Sequence, residues 1–187
     1  IYRGLVESGF PAENIGVVDP SEAAQSAARA SGLIRIAESA TDADLSADLI
    51  VLAVKPQITD IALSPLAHRV SSTATVLSII AGINSASLAN LLGLPNDDAV
   101  VRSMPNTPAL VGEGMTGLFS NSDQRAHGRI LAERVMSAVG QCVWVSNESD
   151  LDLVTAISGS GPAYFFLFME SLADAAVELG MSPQTAH

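Results

Sequence analysis

Short, continuously apolar runs alternate with longer helical patterns along most of this 187-residue chain. Runs that are apolar at nearly every position are typical of strands buried on both faces of a sheet. Such strands separated by helices predict an α/β fold with a doubly wound parallel sheet. The predicted strands cover residues 15–19, 49–54, 75–81, 99–104, 116–119 and 141–145, and the predicted helices cover residues 22–30, 57–69, 85–92 and 123–139.

The pattern changes after Asn147, because from residue 148 onward apolar residues recur only at helical spacing. We therefore predict a sheet-containing domain over 1–147 and the beginning of a helical domain over 148–187. The helical part is too apolar for a solvated tail, so it requires a partner surface from its own domain or from another subunit.

The patterns at both ends of the chain indicate helices that are only partly present in the sequence. Residues 1–9 have the pattern of the second half of a helix ending at Gly9, with no strand before it, and residues 186–187 interrupt a further helix. We expect the first strand and a glycine-rich phosphate loop to precede Ile1. Because that strand would lie at the centre of the sheet, we expect residues 1–187 alone to be inactive and poorly stable.

Composition limits the function classes. The formal net charge of −11 argues against a surface that neutralises nucleic-acid phosphates, although it says little about small anionic ligands. The single cysteine, Cys142, excludes an internal disulfide and favours a reducing, cytoplasmic compartment. We expect it to be a small buried side chain rather than a nucleophile.

Membrane and metal binding are not expected from the sequence. No continuous apolar run reaches the length of about 18 residues that a membrane span requires. The three histidines, His68, His127 and His187, are scattered, without other ligands at metal-binding spacing. We therefore predict no membrane segment and no metal site.

In open α/β sheets, ligands bind beyond the carboxyl ends of the strands, so residues directly after each strand are candidates. Asp19 follows the first predicted strand. In dinucleotide-binding domains a carboxylate there binds the adenosine ribose, whereas the alternative is a simple Asp-Pro turn. Ser21 is compatible with a helix cap or with a ribose contact.

Three further strand ends carry candidates. Lys55 and Pro56 follow the second strand. Lys55 lies near a ligand, or it is a solvated lysine that precedes a proline at the first position of a helix. The pair Ala81-Gly82 leaves the backbone bare, which admits a flat ring or makes a turn. Asn106 and its neighbours form a proline-bracketed loop, Pro105 to Pro108, which is a rigid binding loop or only a turn.

Residues 157–166 (ISGSGPAYFF) predict a small-residue loop that enters an apolar helix. Ser160 is the expected N-cap, and Pro162 occupies a first-turn position that tolerates proline. A helix start of this kind offers free N–H groups to a carboxylate or phosphate. The alternative is a close helix-packing corner.

Three motifs carry a family resemblance: VLAVKPQ at 51–57, RSMPNTPA at 102–109 and VTAISGSGPAYF at 154–165. Together with LADAA at 172–176, they resemble pyrroline-5-carboxylate reductase in composition, order and spacing, and the resemblance covers essentially the whole chain. It implies a Rossmann-like domain followed by the start of an all-helical dimerisation domain. It also implies hydride transfer from NADPH or NADH to 1-pyrroline-5-carboxylate, giving L-proline, in a homo-oligomer built from dimers and often a decamer.

The resemblance also assigns site residues, although it leaves the catalytic residue unknown and expects the substrate-carboxylate ligands beyond His187. On the cofactor side it implies Asp19, Ser21, Ala53, Val54, Lys55, Pro56, Ile80, Ala81, Asn106 and Glu148. On the substrate side it implies Met104, Pro105, Ser160, Gly161 and Pro162.

Two alternatives and one choice stay open. The first alternative is a related dehydrogenase that acts on another imine or on a hydroxyacid, although no lysine follows Lys55 to act as the catalytic lysine of such an enzyme. The second is a non-catalytic nucleotide-binding protein. The carboxylate of Asp19 repels a 2′-phosphate and favours NADH, whereas the family commonly favours NADPH.

Overall fold

The structure, a computed structural model, describes residues 1–122 and 126–187. Its strands are β1 (Gly16–Val18), β2 (Arg35–Ala37), β3 (Leu49–Leu52), β4 (Thr75–Ser78), β5 (Val100–Met104), β6 (Gly114–Ser120) and β7 (Gly140–Trp144). Its helices are α1 (Tyr2–Glu7), α2 (Glu22–Ala30), α3 (Thr59–Leu63), α4 (Ser85–Leu92), α5 (Ala126–Ser137), α6 (Asp150–Val154), α7 (Gly161–Glu178) and α8 (Pro183–Ala186).

The strands form two hydrogen-bonded sheets. Strands β1 and β2 pair in parallel, and the other five strands follow one another in the order β3-β4-β5-β6-β7. Strands β3, β4 and β5 are parallel, but β6 runs antiparallel to β5 and parallel to β7. The prediction of a parallel sheet is therefore wrong for the β5–β6 pair, because strand direction is not encoded in the apolar pattern.

Two apolar clusters cover opposite faces of the main sheet. Neighbouring residues alternate between them: Val76 and Val100 pack in the cluster under α3 and α4, whereas Leu77 and Val101 pack in the cluster with α1 and α5. All four of these side chains are at most 2% exposed. This alternation confirms the doubly wound arrangement, with helices on both faces of the sheet.

Several predicted elements have the expected bounds. Helices α2 and α4 begin at the predicted residues, and each has a side-chain cap: Ser21 Oγ accepts from the N–H of Ala24, and Asn84 Oδ1 accepts from the N–H of Ser87. Helix α4 ends at Gly93 in the left-handed conformation, which glycine adopts without strain.

Other elements differ from prediction. The helix predicted over 57–69 is broken into a 3₁₀ turn (Pro56–Ile58), α3 and a second 3₁₀ turn (Ser64–Leu66), because Pro65 lacks an N–H and interrupts the ladder. The helix predicted over 123–139 is α5, although positions 123–125 lie outside the described residues. Strand β2 was not predicted, because it is short and only half-buried.

From Asp150 to Glu178 the chain is helical, with a π turn (Thr155–Gly159) between α6 and α7. By length and composition this stretch is long and apolar enough to cross a membrane, and 6% of its most apolar window is buried. No continuous apolar run within it reaches 18 residues, as predicted, but run length did not anticipate a helix that is apolar enough on average. Serine, threonine and glycine interrupt the apolar run, but they add no charge.

Candidate functional site

The candidate site lies along the carboxyl ends of β3, β4 and β5. Because these strands are parallel neighbours, the residues that follow them lie at one edge of the sheet. The structure therefore brings together the segments 53–56, 80–82 and 104–106. Strand β1, which precedes Asp19, pairs with β2 in the smaller sheet, and Val17 packs against the same apolar cluster as Val51 of β3.

Asp19 forms the turn that enters α2. Its Oδ1 accepts from the N–H of Ser21 at 2.8 Å, and its main-chain oxygen accepts from Gln25 Nε2 at 2.9 Å. This is the Asp-Pro turn that the sequence offered as the alternative, and Ser21 does cap α2. Within residues 1–122 and 126–187, Asp19 forms no ion pair with lysine or arginine, so its charge is not neutralised locally.

The segment after β3 is open to solvent. Ala53, Lys55 and Pro56 are exposed, and Val54 is half-buried. Lys55 is extended, and Pro56 begins the following 3₁₀ turn. This edge therefore presents small apolar surface beside a solvated ammonium group.

The segment after β4 presents main chain rather than side chains. Ile80 is 2% exposed and packs in the α3–α4 cluster, so a contact between Ile80 and a ligand is limited to its backbone. Ala81 and Gly82 are exposed. A Cβ atom at Gly82 would meet nothing within 4 Å, and its φ of +75° requires glycine. A flat ring therefore has room to approach this turn.

The segment after β5 is tied to the helical part of the chain. Asn106 Oδ1 accepts from the N–H of Met115 at 2.9 Å, and Asn106 Nδ2 donates to Ser158 Oγ at 3.2 Å. Met104 contacts the same turn, since a Cβ atom on Gly159 would lie 3.2 Å from the Met104 Cε. Met104, Pro105 and Asn106 are all partly buried by these contacts.

The predicted small-residue loop is not a loop. Residues 155–159 form a π turn that continues directly into α7, and the N–H of Ser160 donates to the Thr155 carbonyl at 2.9 Å. Ser160 is helical and forms no side-chain cap, because its hydroxyl also donates to Thr155 O. The expected N-cap with free amides is therefore wrong. Pro162 lies in the first turn of α7, as predicted.

The π turn is a functional indication in its own right. Insertions of this kind are rare and occur frequently at functional sites, because they shift side chains without ending the helix. Ser160, Gly161 and Pro162 are partly buried beside it. A Cβ atom on Gly161 would meet nothing within 4 Å, so the first turn of α7 has open space in front of it.

Glu148 lies at the N-terminus of α4. Its Oε1 accepts from the N–H of Ser85 at 2.6 Å, from Ser85 Oγ at 2.9 Å and from Arg102 Nη1 at 3.1 Å. The Arg102 and Glu148 side chains are 10% and 27% exposed. A carboxylate is favourable at the positive end of a helix. Neither Ser85 nor this pairing was predictable from local patterns, because Arg102 and Ser85 lie 46 and 63 residues from Glu148 in the chain.

Cys142 lies on β7, which β6 separates from β5, and its thiol contacts Ser137 and Glu133 of α5. Burial raises the pKa of its thiol, the Glu133 carboxylate raises it further, and a hydrogen bond with Ser137 lowers it. The thiol is half-buried rather than fully buried, and its raised pKa does not suit a nucleophile. Among residues 1–122 and 126–187, no group of three or more His, Cys, Asp or Glu side chains is arranged to hold a metal ion.

Comparison with known proteins identifies relatives of the whole chain. Residues 148–187 match the family model described as pyrroline-5-carboxylate reductase dimerisation, and residues 1–82 match the one described as NADP oxidoreductase coenzyme F420-dependent. A pyrroline-5-carboxylate reductase from Pseudomonas aeruginosa is 42% identical over 186 residues, which cover 100% of this chain and 67% of that protein.

Solved structures give the same result. A pyrroline-5-carboxylate reductase from Coxiella burnetii has a TM-score of 0.84 at 34% identity, covering 99% of this chain and 68% of that one. The pyrroline carboxylate reductase from Plasmodium falciparum, solved with NADP bound, has a TM-score of 0.84 at 32% identity, covering 99% of this chain and 67% of that one.

Proposed function

The chain belongs to the pyrroline-5-carboxylate reductase family, and from that premise we propose that it reduces the C=N bond of 1-pyrroline-5-carboxylate to give L-proline. The observation that carries the proposal is the match of 42% identity along the entire chain. The arrangement at the sheet edge supports it, because the motif segments after β3 and β5 lie on either side of the turn after β4.

The sheet edge fits a nicotinamide dinucleotide. The turn after β4 is bare at Ala81 and Gly82, and Ala53 adds only a methyl group after the neighbouring strand. When bound, NADPH or NADH supplies the hydride. We propose that Ala53, Val54, Lys55, Pro56, Ala81 and the main chain of Ile80 line the nicotinamide side, that Glu148 lies near the cofactor, and that Asp19 and Ser21 bind the adenosine ribose.

The substrate side is formed by the loop after β5 and the first turn of α7. We propose that Met104, Pro105, Ser160, Gly161 and Pro162 shape the space that holds the pyrroline ring. Their contribution is orientation and exclusion of water, since hydride transfer to a protonated imine carbon depends mainly on the approach of donor and acceptor. We assign no side chain of this set a proton-transfer role.

The test is oxidation of NADPH and of NADH in the presence of 1-pyrroline-5-carboxylate, using protein made from the full coding sequence. We expect turnover that depends on this substrate and yields L-proline. A folded protein that binds the cofactor but shows no turnover would refute the proposal. It would favour a related dehydrogenase acting on another imine or hydroxyacid, or a non-catalytic nucleotide-binding protein.

Gly161→Ala tests the substrate side separately. The fold has open space for the added methyl group, and alanine is favoured over glycine in a helix by about 1 kcal/mol. We therefore expect an unchanged or higher Tm together with a several-fold higher KM for 1-pyrroline-5-carboxylate, because the methyl group enters the proposed substrate space. Unchanged steady-state constants would remove Gly161 from the site.

We also propose a homo-oligomer built from dimers, assembled as a decamer and located in the cytoplasm. The apolar surface of α7 supports the dimer, since Tyr164, Phe165 and Phe168 are each more than 60% exposed in the single chain. The dimerisation match begins at residue 148 and includes this helix. Sedimentation and cell fractionation test these proposals, and recovery of the protein in the membrane fraction would contradict the last of them.

A further inference from the structure

We propose that Asn106 is a positioning residue, which acts through Ser158 to hold the π turn Thr155–Gly159 and so sets the first turn of α7 against the sheet edge. The inference deepens the proposed function and rests on it. It differs from the role implied by resemblance, in which Asn106 contacts the cofactor directly.

The Asn106 amide is fixed in one orientation. Its Oδ1 is used by the N–H of Met115, which can only donate, so the oxygen must face β6 and Nδ2 must face Ser158. Prolines at positions 105 and 108 also limit the backbone on both sides. One side chain therefore joins the end of β5, the start of β6 and the helical segment.

Ser158 forms its side-chain hydrogen bond with a residue outside its own helical segment. The two neighbouring hydroxyls bond back to their own helix: Thr155 Oγ1 donates to Leu151 O at 2.8 Å, and Ser160 Oγ donates to Thr155 O at 3.2 Å. Ser158 Oγ instead accepts from Asn106 at 3.2 Å.

π turns are rare within α-helices, so an outside contact that favours this one contributes to its selection. The turn also packs on the sheet through Met104 and Gly159, but that contact is apolar and sets no register. The bond between Asn106 and Ser158 is directional. It therefore fixes which residues of the segment 158–162 face the proposed substrate space.

A double-mutant cycle tests the inference in protein made from the full coding sequence. The variants are Asn106→Ala, Ser158→Ala and the double variant, with Asn90→Ala and Ser26→Ala as matched controls at exposed helical positions. Ser158→Ala leaves the Asn106 bond to Met115 in place, so it tests the link even where Asn106→Ala fails to fold.

We expect each single variant to raise the KM for 1-pyrroline-5-carboxylate about fivefold, the effect of one ordinary hydrogen bond, with the cofactor KM changed less than twofold. The double variant should equal Asn106→Ala, because the bond that Ser158→Ala removes is already absent there. Additive effects, or a raised cofactor KM in Asn106→Ala with Ser158→Ala unaffected, would overturn the inference.

Hydrogen exchange gives a readout that does not depend on turnover. We expect the amides of 155–161 to exchange faster in both single variants than in the unmodified protein. The double variant should exchange no faster than Asn106→Ala, and the controls should be unchanged. Unchanged exchange in Ser158→Ala would overturn the inference. Absence of turnover in the unmodified protein would instead refute the proposed function, and the exchange cycle would still decide whether the link exists.

Discussion

At the scale of single residues, the proposed position of Asp19 at the adenosine ribose has the clearest consequence for cofactor choice. Its carboxylate has no cationic partner in the described part of the chain, and the acidic Glu22 nearby pairs with Arg29. A carboxylate at the ribose position accepts hydrogen bonds from the two ribose hydroxyls of NADH and repels the 2′-phosphate of NADPH.

We predict that Asp19→Ser shifts the ratio of kcat/KM for NADPH over NADH upward by about fivefold. Two like charges about 4 Å apart in water repel by about 1 kcal/mol, which corresponds to that factor. Steady-state kinetics with both cofactors measures the ratio. Asp42→Ser, at another exposed position, controls for the change in net charge, and an unchanged ratio in Asp19→Ser would show that Asp19 lies away from the 2′ position.

The raised pKa of Cys142 predicts slow chemistry at its thiol. Because burial keeps the thiol protonated, we expect alkylation at neutral pH to be slower in the folded protein than in the unfolded chain. Ser137→Ala should slow it further, since the hydrogen bond with Ser137 lowers the pKa. Mass spectrometry of iodoacetamide labelling over time measures both rates, and equal rates in folded and unfolded protein would contradict the prediction.

At the scale of elements, Glu148 joins the start of the helical segment to α4 and β5. We predict that Glu148→Gln lowers the free energy of unfolding by about 2 kcal/mol, because a partly buried Arg102 loses its counter-ion and the positive end of α4 loses an anion. Urea unfolding measures the change, with the exposed Glu38→Gln as control. Equal stability of the two variants would show that the pair adds nothing.

Gly140 controls how β6 and β7 begin. A Cβ atom there would lie 2.0 Å from the Gly114 carbonyl oxygen, at a φ of +147° that side chains rarely adopt. We predict that Gly140→Ala costs at least about 3 kcal/mol of unfolding free energy. Gly112→Ala isolates backbone strain, because its φ is +79° but its Cβ would meet nothing within 4 Å, and we expect about 1 kcal/mol there. Similar losses in the two variants would rule out the contact with Gly114 as the cause.

Local signals allowed part of this architecture to be predicted. Helices α2 and α4 were predictable to the residue, because Ser21, Asn84 and Gly93 mark their ends chemically. The apolar runs gave six strands, although not the half-buried β2 or the reversed direction of β6. The candidate residues at the strand ends were also predictable, since their position follows from the chain order of a parallel sheet.

Long-range contacts were not predictable. The small residues of 158–161 have the composition of a loop, and only contacts with Asn106 and Met104 show why they remain helical. The pairing of Glu148 with Ser85 likewise spans 63 residues and has no local pattern. In both cases polar groups distant in sequence decide the conformation.

At the scale of the whole molecule, the apolar side of α7 is the dominant unpartnered surface. We predict that Phe165→Ser together with Phe168→Ser reduces the assembly to smaller species, because these two rings are 71% and 61% exposed in the single chain. Analytical ultracentrifugation measures the mass, with Ile61→Ser, 77% exposed on α3, as the control. An unchanged mass would place the interface elsewhere.

The exposed face of α7 also implies that the free energy of unfolding depends on protein concentration. A helix that completes its packing only against another copy couples folding to association, so the free energy of unfolding includes a term in protein concentration. Each tenfold dilution then removes about 1.4 kcal/mol per dimer. Cells that express this reductase weakly would therefore hold a smaller fraction of it folded, and expression level itself becomes a determinant of its specific activity.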